Sequence, residues 1–247
     1  MPGRIQSLER AAAVLHSLAG GPRRLGVAEL AASLDLPKPT VHGILNTLRH
    51  VGFVEQDEQS GKYRLGAALL HLGNSYLDVH ELRTRALTWS DALAARSGES
   101  TRIGVWHEGA VLVVHHVFRP DDSFQVLEVG TLLPAHASAL GKVLLSCEPG
   151  LEPDRARRSF TAHTISDSAG LRAELARVRL QGWAADVEEL AEGEVSVAAP
   201  IRNGRGAAVG AIGVTGAVER LCECGTPRRD LVGQVRDAAR AITRDIS

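Results

Sequence analysis

Apolar positions near the start of the chain recur with the period of a helix. Leu8, Ala11, Ala12, Leu15 and Leu18 lie three or four residues apart, Ser7 stands where a cap belongs, and Gly20-Gly21-Pro22 stops the run. Val27 to Leu34 gives a second helix of about two turns. Asp35-Leu36-Pro37 is a turn. Pro37 and Pro39 are tolerated only at a helix start, so a third helix begins there, with Val41, Ile44, Leu45 and Leu48 as its buried face. Gly52 ends it. The period then shortens: FVEQD reads as a strand, EQSGK as a turn and YRLG as the returning strand. Three helices followed by a hairpin are the order of a winged helix-turn-helix, with the tight link between the second and third helices as its turn.

Residues 67–80 (AALLHLGNSYLDVH) continue as a helix whose apolar positions Leu69, Leu72, Tyr76 and Leu77 form a stripe, the mark of a core face or a dimer seam. From residue 81 the pattern changes again. A helix over ELRTRALTWSDALAARSG leads to strands over STRIGVWHEG, AVLVVHHVFR and FQVLEVG, then to a loop and helix over LLPAHASALGKVLLS. A charged segment covers 148–170, followed by a helix in LRAELARVRLQG and strands in EVSVAAPIRN and AAVGAIGVTG. The amphipathic helix RRDLVGQVRDAARAITRDI closes the chain. Strands in a run with helices around them predict an α+β domain with a largely antiparallel sheet. The expected division is 1–66, a winged helix-turn-helix; 67–80, a linker helix; and 81–247, a second domain. There is no internal repeat and no low-complexity tract.

Composition narrows the classes. The 247 residues are 44% hydrophobic and 23% charged, values of a globular chain, and with aromatics at 4% the cores must be filled by Leu, Val, Ala and Ile. No apolar run reaches the roughly 18–20 residues that span a bilayer. Glu9 and Arg10 interrupt what a signal peptide would keep apolar, so a cytoplasmic protein is expected. The net charge of −1 divides unevenly: residues 1–66 carry 8 Lys and Arg against 6 Asp and Glu, a balance of +2, and the remainder carries −3. A weakly basic head is compatible with nucleic acid but does not establish it. Cys222-Glu-Cys224 lacks a second ligand pair, so Cys147, Cys222 and Cys224 read as ordinary thiols, with no metal or cofactor.

Candidate chemistry concentrates in two places. A helix fits the major groove of DNA, and the outer face of the third helix carries Lys38, Thr40, His42, Gly43, Asn46 and Arg49. Asn pairs with adenine, Arg and Lys with guanine or phosphate, and a glycine admits a close approach. Lys62 and Arg64 in the hairpin, and Arg23 and Arg24 before the second helix, stand where phosphate contacts would fall. The competing reading is a solvated polar face; the full order of helices, tight turn and hairpin weighs against it. Second, Asp186, Glu188 and Glu189 raise acid–base catalysis, though a capping or solvated role fits adjacent carboxylates as well. His115 and His116 are neighbours in a strand and point to opposite faces. Gly141-Lys142 lacks the upstream glycine of a phosphate loop, and Gly210, Gly213 and Gly216 do not have dinucleotide-fold spacing.

At this point a resemblance enters. IQSLERAAAVL and LAASLDLPKPTVHGILNTLRHVGFVEQDEQSGKYRLG resemble the winged-helix domain of the IclR family of bacterial transcriptional regulators. LLPAHASALGKVLLS, GWAADVEELAEGEVSVAAPI and AAVGAIGVTG resemble three segments of its effector domain, in the right order. HGILNTLRHVGFVEQD, SYLDVHELRTRAL, VVHHVFRPDDS and GAVERLC are similar to members that govern glycerol use. The resemblance implies a GAF/profilin-like effector domain. Its pocket would be formed by backbone amides of Ala139 and Leu140, by Asp186 at the rim, by Ser196, and by Gly213 and Thr215 on the last strand. Some relatives carry a hydroxyl where this chain has Gly213. The implied partners are double-stranded operator DNA, a small polar metabolite such as glycerol or glycerol 3-phosphate, and a second copy of the chain, with dimers pairing into tetramers. Repressor and activator both occur in the family, and a small-molecule enzyme with an accessory helical domain is the third reading.

Overall fold

The computed structural model describes residues 5–20, 24–79, 81–121, 123–147 and 157–246. The chain forms two compact units, divided after Val79.

In the first unit, α1 (Gln6–Gly20), α2 (Val27–Leu34) and α3 (Lys38–His50) precede the antiparallel pair β1 (Val54–Gln56) and β2 (Tyr63–Leu65), and α4 (Ala67–Val79) follows. Val14, Leu18, Leu30, Ala31, Val41, Leu45, Leu48, Val54 and Tyr63 make one core. The apolar stripe of α1 is rotated from the expected one: Val14 is buried, whereas Leu8 is 64% exposed. Ser7 lies inside the first turn, because the amides of Leu8 and Glu9 both return to the carbonyl of Ile5. The turn between α2 and α3 is tight. Asp35 takes a left-handed backbone (φ 51°), the Leu36 amide closes on Ala31, and Pro37 leads into α3. Leu25 pairs with Tyr63 through both backbone bonds (3.0 and 2.8 Å) and widens the wing by one bridge.

In the second unit, α5 (Glu81–Ser97), β3 (Ser100–His107), β4 (Ala110–Val117), β5 (Leu132–Pro134), α6 (Ala139–Cys147), α7 (Ser168–Gln181), β6 (Ala184–Val187), β7 (Glu194–Arg202) and β8 (Ala208–Ala217) come in that order. The short elements α8 (Val218–Leu221), β9 (Cys222–Glu223) and β10 (Thr226–Pro227) lead to α9 (Arg229–Ile246). Six strands form one antiparallel sheet in the order β5-β4-β3-β8-β7-β6. Alternation along the strands builds two faces. Ile103, Val105, Val197, Ala199, Ile212 and Val214 are buried on the side covered by α5 and α9. Val111, Val113, Ala184, Ala198 and Ala211 pack on the other side against Leu140, Val143 and Leu144 of α6.

Two further differences from the expected elements lie in the second unit. Phe124–Gly130 is not a strand: the Gly130 amide reaches the Val113 carbonyl at 2.8 Å, but the Glu128 amide goes to the His116 ring rather than to a strand carbonyl, and Phe124 is 91% exposed. Conversely, β6 forms where no strand is expected, since its four residues are too few to show a period. Among the described residues no helix is long and apolar enough to cross a membrane.

Candidate functional site

The outer face of α3 resolves into two stripes. Lys38, His42, Asn46 and Arg49 follow one another at helical spacing, with Lys38, His42 and Arg49 exposed and Asn46 half-buried. Asn46 Nδ2 and His42 Nδ1 are 3.2 Å apart, so these two side chains orient each other. Arg49 donates to Gln56 Oε1 at 2.9 Å, which joins the end of α3 to the wing. Thr40 and Gly43 lie on the flank that turns toward α1. With Leu8, Ala11, Ile44 and Thr47 they line an open groove of ≈ 380 Å³. A β-carbon built on Gly43 would meet nothing within 4 Å, so the protein's own packing does not require this glycine.

The other expected DNA contacts are cations already paired with carboxylates. Arg24 reaches Asp57 at 2.6 Å, Lys62 reaches Glu29 at 3.1 Å and Arg64 reaches Glu55 at 2.9 Å. Hydrogen bonds from Ser60, the Gly26 amide and Arg64 respectively hold Asp57, Glu29 and Glu55 below the usual carboxylate range. Exposed pairs of this kind are weak, so a phosphate can replace the carboxylate at little cost. Arg23 lies outside the described residues.

In the second unit the sheet register gathers residues that sequence spacing scatters. Asp186 pairs with Ser196, Ser196 with Thr215, and Thr215 with Ser100. These four form a polar row across β6, β7, β8 and β3, on the face that carries α6. Ser196 and Thr215 hydroxyls meet at 2.9 Å. At the start of α6, Ser138 takes the amides of Gly141 and Lys142. The amides of Ala139 and Leu140 precede the first intrahelical bond. A small cavity of ≈ 10 Å³ lies between this helix start and the sheet, lined by Ala139, Leu140, Ser196, Gly213, Thr215 and Leu190 among others. Five of the six expected pocket residues therefore surround one space, about as large as one water needs. Gly213 does not enlarge it: a β-carbon there would sit 2.7 Å from the Val197 carbonyl oxygen, so a side chain would require the strand to shift.

Asp186 is not at the rim. It is buried, and its carboxylate accepts from the amides of Glu189 (2.8 Å) and Leu190 (3.2 Å). This fixes the turn in which Glu188 adopts φ 56° and brings Leu190 to the pocket. Burial pushes the Asp186 carboxyl up to about 7, and the nearby Glu189 adds to the shift against the pull of the two amides and Lys142.

Lys142, which spacing did not connect with these acids, is the basic partner. Its side chain is wholly buried, donates to the Ala185 carbonyl at 3.0 Å and to Glu189, and lies 3.8 Å from Glu174. Burial raises the Glu189 carboxyl as well, opposed by Lys142. A wholly buried ammonium cannot reach a substrate, and its carboxylate partners supply the compensation that a buried charge needs. His116 lies in β4 on the same sheet face as the pocket. Its Nδ1 accepts the Glu128 amide at 3.2 Å, and its Nε2 lies 3.0 Å from Ser100 Oγ. Burial lowers it to about 4, so it is neutral at physiological pH.

The comparisons with known proteins cover both units. Residues 7–58 match the IclR helix-turn-helix domain and residues 74–244 match the C-terminal domain of bacterial IclR transcriptional regulators. A glycerol operon regulatory protein of Streptomyces coelicolor is 57% identical over 100% of this chain and 98% of its own length. One of Streptomyces griseus is 55% identical with the same coverage. The crystal structure of an IclR transcriptional regulator from Alicyclobacillus acidocaldarius superposes with a TM-score of 0.80 at 23% identity, covering 99% of this chain and 100% of that one; this likeness carries the fold.

Proposed function

The chain belongs to the IclR family of bacterial transcriptional regulators, and we propose that within it this protein is a repressor that releases operator DNA when a small polar metabolite occupies its second unit. It is a regulator and not an enzyme. The observation that carries the reading is the stripe of Lys38, His42, Asn46 and Arg49 on α3, presented outward by the buried Val41, Leu45 and Leu48. Such a helix face reads base edges, while Arg24, Lys62 and Arg64 exchange carboxylate partners for phosphates. A dimer places two such helices on a near-palindromic site, and pairing of dimers gives a tetramer. Such a protein acts in the cytoplasm, where its DNA is.

The glycerol operon regulators named above are similar along the whole chain, which supports glycerol or glycerol 3-phosphate as the effector. The polar row at Ser196 and Thr215 offers hydroxyl partners for such a ligand. Ligand can weaken DNA binding only if the two protein states bind it with different affinity, and the coupling is reciprocal. The test is an anisotropy titration onto DNA from upstream of the protein's own gene and its neighbours, at fixed salt, with and without each compound. Loosening by either supports the reading, and indifference to both removes glycerol chemistry from it.

A further inference from the structure

Arg102 stands at an unusual position in the second unit. On β3 it pairs with Gly213 on one side and with His116 on the other. It is the only charged residue lining the ≈ 10 Å³ pocket. It also lines, together with Thr215, an adjoining open cleft of ≈ 330 Å³. Arg102 and Thr215 therefore form the partition between a space too small for a metabolite and one large enough for it.

The partition is held by one carboxylate. Arg102 donates to Glu128 Oε1 at 2.8 Å and touches the other carboxylate oxygen as well. The remaining arginines of the cleft have other partners, with Glu99 also 3.9 Å from Arg119. Arg220 makes two bonds to the buried Glu99 (2.5 and 3.0 Å), and Arg119 pairs with Asp121 at 2.5 Å. His116 contributes no charge. Glu128 is poorly placed for a carboxylate: burial and the nearby Glu194 both raise it, against the pull of Arg102. It belongs to a strap, residues 123–131, that lines the cleft and leaves Phe124, Val126 and Leu127 exposed.

We infer that Arg102 is the anion-recognising residue of the effector site and Glu128 the internal carboxylate it gives up, so that the ligand is a small hydroxylated anion such as a polyol phosphate. The inference rests on the reading that this unit senses a polyol metabolite, and it names the chemical class. A neutral polyol can bond to the Ser196 and Thr215 hydroxyls but has no charge with which to replace Glu128. A phosphate does: a guanidinium takes two phosphate oxygens in the same fork that now holds the carboxylate. The start of α6 on the opposite wall favours negative charge in the same space. Once displaced, Glu128 is repelled by the ligand's charge, so the partition opens and the strap moves with it.

The experiment is calorimetric titration of the full-length protein with glycerol and with glycerol 3-phosphate, using wild type, Arg102→Gln and Glu128→Gln, with operator binding of each variant as a check on folding. The expected result is a preference of wild type for the phosphate of about tenfold or more. Arg102→Gln brings the ratio of the two affinities close to one, and Glu128→Gln tightens the phosphate several-fold by removing its competitor. Because the ratio is taken within each variant, a general loss of stability does not imitate the result. Glycerol binding as tightly as its phosphate overturns the anion inference and leaves the polyol reading standing. An unchanged ratio in Arg102→Gln removes Arg102 from recognition. Failure of both compounds to bind a protein that holds its operator overturns the polyol reading and the inference together.

Discussion

Ser196 and Thr215 face each other across β7 and β8 with their hydroxyl oxygens 2.9 Å apart, and both line the small pocket at the start of α6. A cross-strand pair of hydroxyls stabilises a sheet by about 0.2–1 kcal/mol, so its loss is tolerable to the fold. Ser196→Ala is expected to lower Tm only slightly and to weaken a hydroxylated ligand by roughly fivefold, since one good hydrogen bond contributes about 1 kcal/mol. Calorimetry beside a thermal melt checks both halves; an unchanged affinity would remove Ser196 from the site.

Gly43 separates stability from function. A glycine in an exposed helix interior costs about 1 kcal/mol relative to alanine, and here an added β-carbon meets nothing within 4 Å. Gly43→Ala should therefore raise the melting temperature. If DNA approaches this flank of α3, the same change weakens operator binding, because the methyl group projects toward the DNA. A variant that is more stable and binds DNA as well as wild type would show that the flank stays clear of the duplex.

On the proposed reading Lys62 meets phosphate and Asn46 a base edge, so the two should fail differently. Lys62→Ala removes a phosphate contact, so affinity falls about equally for all sequences and the salt slope shrinks by about 1. Asn46→Ala removes a base-edge contact and should cost about 1–3 kcal/mol on the specific site alone. Titrations onto specific and shuffled duplexes at several salt concentrations separate the two.

Much of the first unit was legible because local rules act there. Pro37, Pro39 and Gly52 punctuate α3, and Val41, Leu45 and Leu48 keep its period. In α1 the stripe was misjudged because Leu8 and Ala12 share the apolar character of Val14 without its burial. The second unit depends on pairings that spacing does not encode. Lys142 and Glu189 meet 47 residues apart, and the row from Asp186 through Ser196 and Thr215 to Ser100 exists only once the register of four strands is set. Arg102 was invisible for the same reason: nothing in STRIGVWHEG distinguishes an arginine over a pocket from one in solvent. The alternation of FQVLEVG imitates a strand, but the Glu128 amide is taken by the His116 ring and not by a backbone ladder.

Asp186 gives a pH signature with a definite sign. Its folded carboxyl is raised to about 7 from an ordinary 3.8. Between those values the folded state holds a proton that the unfolded chain has released, so this group's contribution to stability falls as pH rises from about 4 to about 7 and is flat beyond. Asp186→Asn keeps an acceptor for the two amides and has no charge to bury. Its stability relative to wild type should therefore grow over that window, by on the order of 1–3 kcal/mol at pH 8. Urea melts of both proteins across pH check this, and a constant difference would mean that Asp186 is ionised when folded.

The most direct test of the central claim is competition between upstream operator DNA and a shuffled duplex of the same length and composition, at one salt concentration, for wild type and Asn46→Ala. A reader of base edges prefers its own site by about a thousandfold or more, within the range of about 10³–10⁷ usual for specific binders, and loses much of that preference without Asn46. Equal affinity of wild type for both duplexes would contradict the claim that α3 reads sequence.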